Sequence, residues 1–267
     1  AFWAWWPALY PELKHFRMTG GEPLMDRNTY RVFDYVLEHP KSDLHLAVTS
    51  NFSVEPDLST KYFDYVKRLC DTDIEHFMQY VSLDGWGAQA EYMRHGMNFD
   101  LVWSRVDQYL TDIPSYNSLT FIVTMNNLSV TSLENLFAGI LGLRKTYSKT
   151  YQRVWFDTPV LREPAWQSLQ ILPEAYADRL EHLWAWMIRQ SETPEDPFHG
   201  FKDYELARLD RDIAWMRAGQ GQDHSAAKAD FYRFFREHDR RRGTDFLKTF
   251  PEMRAWWAEC EYHARNT

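Results

Sequence analysis

The sequence predicts an α/β protein with parallel strands, and three observations lead there. Five short segments rich in β-branched and aromatic residues are each bounded by turn or cap signals. Helical patterns separate them, so strand and helix alternate at roughly thirty-residue spacing, the rhythm of right-handed βα units. After Pro173 only helical periodicity follows. A chain of 267 residues has room for most of a barrel, or for an open twisted sheet with a satellite.

The elements follow in order. AFWAWWPALYP is a helix-like opening, apolar but short, with neither the basic flank nor the cleavage site of a signal peptide. The first strand is KHFRMT (14–19), followed by the helical pattern NTYRVFDYVLEH, whose Tyr30, Val32, Phe33, Val36 and Leu37 keep the three/four spacing of one face. DLHLAVTS (43–50) precedes the helix STKYFDYVKRLC, and FMQYVSLD (77–84) precedes FDLVWSRVDQYL. SLTFIVTM (118–125) leads into SVTSLENLFAGILGLRK, with Ser129 or Thr131 as expected N-caps. RVWFDTPV (153–160) is the last strand. Four further helices fill the remainder, broken by ETPEDPFHG and by GQGQ around Gly219.

Composition removes several function classes. A net charge of −8 lacks the basic footprint of a general nucleic-acid binder. No apolar run approaches the eighteen or so residues of a membrane span. Cys70 and Cys260 are far apart, which is no disulfide framework and suits a reducing cytoplasm. The histidines show no HxH or HxxxH spacing, so no zinc site is expected. Glu237-His238-Asp239 beside Arg240, Arg241 and Arg242 reads as a solvated helix face.

In parallel α/β folds, ligands gather at the carboxyl ends of the strands. Here those ends carry Thr19-Gly20-Gly21-Glu22-Pro23, then Ser50-Asn51, then Ser82 and Asp84-Gly85, then Thr124 and Asn126. The glycines allow close backbone approach, their carbonyls and Thr19 can accept hydrogen bonds, and Glu22 adds negative charge. That chemistry suits an ammonium rather than a phosphate. The competing reading is a tight strand-to-helix turn with Pro23 at the helix start. Asp84 reads either as an acid–base group or partner for Arg94, or as a turn residue before Gly85. Arg94 reads as a carboxylate-binding fork or as an exposed helix arginine. Trp86, Trp155 and Trp166 could line a pocket or simply pack.

The order TGGEP, SN, SLDG with EYMRHG, and TMNN resembles the radical S-adenosylmethionine (SAM) enzymes, in particular their SPASM and twitch members. FYRFFREHDRRRGTDFLKTFPEM looks like the C-terminal part of twitch-type proteins, so the likeness runs from Phe16 to about Trp257. The resemblance implies a partial (β/α)6 TIM-like barrel, strands two to six, over residues 1–172, and a helical C-terminal region over 173–267. It places the methionine ammonium of SAM at Thr19, Gly20, Gly21, Glu22 and Pro23. Ser50, Asn51, Ser82 and Asp84 would stand around the cofactor, Arg94 would pair with its carboxylate, and Thr124 and Asn126 would lie near adenine and ribose. The implied activity is reductive cleavage of SAM to a 5′-deoxyadenosyl radical that abstracts hydrogen from a substrate, a peptide or a sugar.

One departure is large. The family holds a [4Fe–4S] cluster with C-x3-C-x2-C in the loop after its first strand, and this sequence has no such motif. The expectation is therefore a chain lacking that N-terminal segment, inactive alone, with cluster ligands outside it. The alternative is a non-catalytic SAM-binding or scaffold protein. An ordinary barrel hydrolase would need a nucleophile–base or metal constellation that the sequence does not show.

Overall fold

The computed structural model describes residues 1–267. It is an α/β fold with one five-stranded, all-parallel sheet in the sequential order β1-β2-β3-β4-β5. The strands are β1 (His15–Met18), β2 (His45–Ser50), β3 (His76–Ser82), β4 (Ser118–Ile122) and β5 (Val154–Asp157). All five expected strands form, each shorter than its hydrophobic run. The helices are α1 (Phe2–Leu9), α2 (Arg27–Glu38), α3 (Pro56–Cys70), α4 (Gly87–Met93), α5 (Phe99–Asp112), α6 (Leu133–Tyr147), α7 (Glu174–Arg189), α8 (Asp203–Ala218), α9 (Ser225–Arg242), α10 (Phe246–Thr249) and α11 (Arg254–Asn266). No strand follows β5, as the sequence predicts, and no helix is long and apolar enough to cross a membrane.

The chain forms two compact units: residues 1–82, 100–121 and 146–155 in the first; 83–99, 122–145 and 156–267 in the second. In the first, β2 and β3 alternate. Leu46, Val48, Phe77 and Val81 are fully buried, while His45, Ala47, Met78 and Tyr80 on the opposite face are only half-buried. The buried face meets the apolar stripes of α2 and α3, with Phe33 at 6.4 Å from Phe77 and 6.0 Å from Tyr62, ring to ring. Asp26 caps α2 by accepting the Asn28 amide at 2.8 Å. Buried Gln79 is satisfied by the Tyr62 hydroxyl and by the carbonyls of Val48 and Tyr80. Arg153, also buried, donates to the carbonyls of Leu110, Ile113 and Asn117 (2.7, 3.0 and 3.2 Å), closing the end of α5.

The second unit is mostly helical. Arg144 on α6 and Glu205 on α8 are both fully buried and paired at 2.5 Å, and Arg144 also donates to the Gly200 carbonyl. Phe231 on α9 packs on Trp256 of α11 with ring centroids 5.7 Å apart. Asp239 binds the Tyr92 hydroxyl, the Thr244 hydroxyl and the Phe246 amide (2.8, 2.7 and 2.8 Å), tying α9 to α4 and α10. The start of α6 differs from the expectation. Ser129–Thr131 is a 3-10 turn and the helix begins at Leu133, because the Ser129 hydroxyl donates to the Asn126 carbonyl (2.8 Å) instead of capping α6.

Candidate functional site

The candidates divide between the units: Thr19, Gly20, Gly21, Glu22, Pro23, Ser50, Asn51 and Ser82 in the first, Asp84, Arg94, Thr124 and Asn126 in the second. In the first unit the TGGEP loop leaves β1. Gly20 and Gly21 have φ of +92° and +55°, a region that favours glycine over side-chain-bearing residues. Their carbonyls accept no backbone hydrogen bond. The Glu22 carboxylate is occupied: one oxygen accepts the Leu24 amide at 3.2 Å and the other the Asn51 amide at 3.1 Å. Glu22 therefore links the loops after β1 and β2. Ser50 and Asn51 likewise hold their own turn, accepting the Phe52 and Ser53 amides at 2.9 and 2.7 Å. The turn is tight enough to put Phe52 at φ +55°, with buried Arg105 donating to its carbonyl.

Nearby on the half-buried sheet face, Arg17 donates to the Thr49 hydroxyl at 3.0 Å and lies 3.8 Å over the Tyr80 ring. At the amino ends of the same strands, His15, His45 and His76 stand in register, with ring separations of 4.5 and 6.1 Å. The His76 imidazole meets the Ser118 hydroxyl at 2.8 Å. Burial and the His45 charge hold the His76 pKa below that of an ordinary imidazole.

In the second unit Asp84, Arg94, Thr124 and Asn126 line one cavity of ≈ 370 Å³. Asp84 is buried and accepts three donors: Arg94 Nε at 2.8 Å and Nη2 at 2.7 Å on one oxygen, and the Thr124 amide at 2.8 Å on the other. Burial raises the Asp84 carboxyl above its ordinary range, against the pull of Arg94 and of the Thr124 amide. Arg94 is thereby locked in orientation, at the end of α4 where helix carbonyls favour a cation. Gly85 follows because a Cβ there would come within 2.6 Å of both Met93 Cε and Ser132 Oγ. The Asn126 side chain lines the cavity yet is occupied locally. Its amide donates to the Thr124 carbonyl (3.0 Å) and its oxygen accepts the Leu128 and Ser129 amides (2.9 and 3.2 Å).

Sequence reasoning missed the opposite wall. Tyr92, Phe234, His238 and Arg242 also line the cavity, so His238 does not lie on a solvated helix face. The signal was present: Phe234, His238 and Arg242 recur at four-residue spacing, one stripe of α9. Of the three tryptophans noted, Trp166 stacks on Phe234 at 4.2 Å.

Neither cysteine suits metal ligation. Both are buried on helices, and burial pushes the Cys70 thiol up to about 12 and Cys260 also well above the usual thiol range. No group of three His, Cys, Asp or Glu side chains converges to hold a metal ion. No protein-family model matches the chain, and neither a curated protein nor a solved structure matches it.

Proposed function

We propose that this chain is the SAM-binding part of a radical SAM enzyme built on an incomplete (β/α)6 barrel. One observation carries the reading: Asp84, Arg94, Thr124 and Asn126, named from the sequence motifs, line a single cavity. The sequential parallel strand order supports a barrel, in which neighbours in sequence are neighbours in space.

Under this reading each residue does limited work. Within the first unit, the Gly20 and Gly21 carbonyls and the Thr19 hydroxyl form a loop able to accept hydrogen bonds from a cationic group. Arg94, held by Asp84, binds a carboxylate through its remaining donors. Thr124 supports Asp84 with both its amide and its side chain. Glu22, Ser50, Asn51 and Asn126 hold the backbone that presents these groups. SAM when bound supplies hydrogen-abstracting, one-electron chemistry. The two buried, distant cysteines of this chain do not fit the ligand set of a [4Fe–4S] cluster.

Titration calorimetry of SAM into the chain tests the reading. Saturable binding is expected, weakened at least about tenfold by Arg94→Ala; absence of binding to the wild-type chain overturns it. The second reading is a SAM-binding protein without a cluster. Expression of the full reading frame under anaerobic conditions separates the two: iron and 5′-deoxyadenosine indicate the enzyme, SAM binding with neither indicates the scaffold.

A further inference from the structure

The charges around the cavity of the second unit are unevenly committed. Arg94 is neutralised by Asp84 at 2.7 Å. On α9, Arg240 and Arg241 share the Glu237 carboxylate at 2.6 and 2.5 Å, and Asp239 is occupied by Tyr92, Thr244 and Phe246. Burial and the nearby Arg242 charge hold His238 below the ordinary imidazole pKa, so it is neutral at pH 7. Arg242 lines the cavity and, unlike its two neighbours, holds no carboxylate. Two turns earlier on the same stripe, Phe234 also lines the cavity and is 46% exposed, with the Trp166 ring 4.2 Å away. Arg242 suits the C-terminal end of α9, and both it and the exposed Phe234 line the same cavity.

We propose that this α9 wall recognises the substrate, with Arg242 binding a carboxylate and Phe234 receiving an adjacent aromatic or apolar group. The substrate class is an organic acid or peptide terminus of that pattern. The inference rests on the cavity being the reaction site proposed above. A carboxylate fits better than a phosphate because the wall offers one uncommitted unit charge in a planar fork, with no second free cation and no lysine. His238 then serves as a neutral hydrogen-bonding neighbour and leaves the net charge of the wall at that of Arg242.

The test uses the full chain and two probes, N-acetyl-phenylalanine and N-acetyl-phenylalaninamide, differing only in the carboxylate. Calorimetry is expected to show the acid about tenfold tighter than the amide in the wild type. In Arg242→Gln the ratio falls to about one, and Arg242→Lys lies between. Arg242 is exposed in the last turn of α9, so the variants retain the fold, and a thermal melt verifies it. Absence of acid binding, equal affinities in the wild type, or a preference that survives Arg242→Gln overturns the inference. So does phenyl phosphate binding about tenfold tighter than the acid. SAM titrated into the same wild-type protein separates the two readings. SAM binding without acid preference removes this inference alone. Acid preference without SAM binding removes the cofactor reading and leaves the anion subsite standing.

Discussion

Asp84 and Arg94 show how little of a residue's task is set by its own side chain. The carboxylate gathers a guanidinium and a backbone amide, and the guanidinium gains a fixed direction in return. Asp84→Asn keeps an oxygen for the Thr124 amide but loses the ion pair. SAM affinity is expected to fall about tenfold or more while the melting temperature stays within a few degrees. Asp84→Ala orphans that amide as well, and an unsatisfied buried donor costs about 1–3 kcal/mol. Its melting temperature should therefore drop where that of Asp84→Asn does not. Calorimetry and thermal melts on the two variants read this directly, and an equal loss of stability in both would contradict it. The candidates were legible as positions because strand ends collect ligand-binding groups. Their bonding was not, since nothing in TGGEP or TMNN says that Glu22 and Asn126 turn their oxygens onto nearby amides.

At the scale of elements, the five strands were readable because β-branched and aromatic runs end in turn residues, and the α2 stripe because its spacing is helical. The α9 stripe was misread. A run of charged residues looks solvated when the aromatic partner of its histidine, Tyr92, is remote in sequence. The join between α6 and α8 was equally invisible. Arg144 and Glu205 are 61 residues apart and both fully buried. A buried pair of this kind is costly to break and cheap to replace whole. Arg144→Ala is expected to destabilise by about 3–5 kcal/mol, because Glu205 is left charged in the core. Arg144→Met combined with Glu205→Leu should recover most of that loss. Urea denaturation of the single and double variants checks it, and a double variant no more stable than Arg144→Ala would contradict it.

Across the whole molecule, two buried groups set opposing pH dependences. The folded pKa of His76 lies below its ordinary 6.5, through burial and the His45 charge. The unfolded chain therefore takes up the proton first, and stability declines as pH falls through that value. Asp212 is fully buried in α8, with Arg211 on one carboxylate oxygen at 2.9 Å and nothing on the other. Burial raises its pKa from 3.8 to about 6, so the folded state keeps its proton longer. The stability it contributes is complete below 3.8 and is lost as pH rises to about 6. Below 6.5 the His76 slope runs against the Asp212 slope, which spans 3.8 to about 6. Asp212→Asn leaves only the histidine slope: its stability relative to wild type should rise through that window and exceed it at pH 7 by on the order of 3 kcal/mol. His76→Gln leaves only the aspartate slope, with relative stability greatest at the acid end. Urea midpoints at four pH values between about 4.5 and 7.5 give both difference profiles. Parallel profiles for the two variants would mean that neither group titrates as its burial dictates.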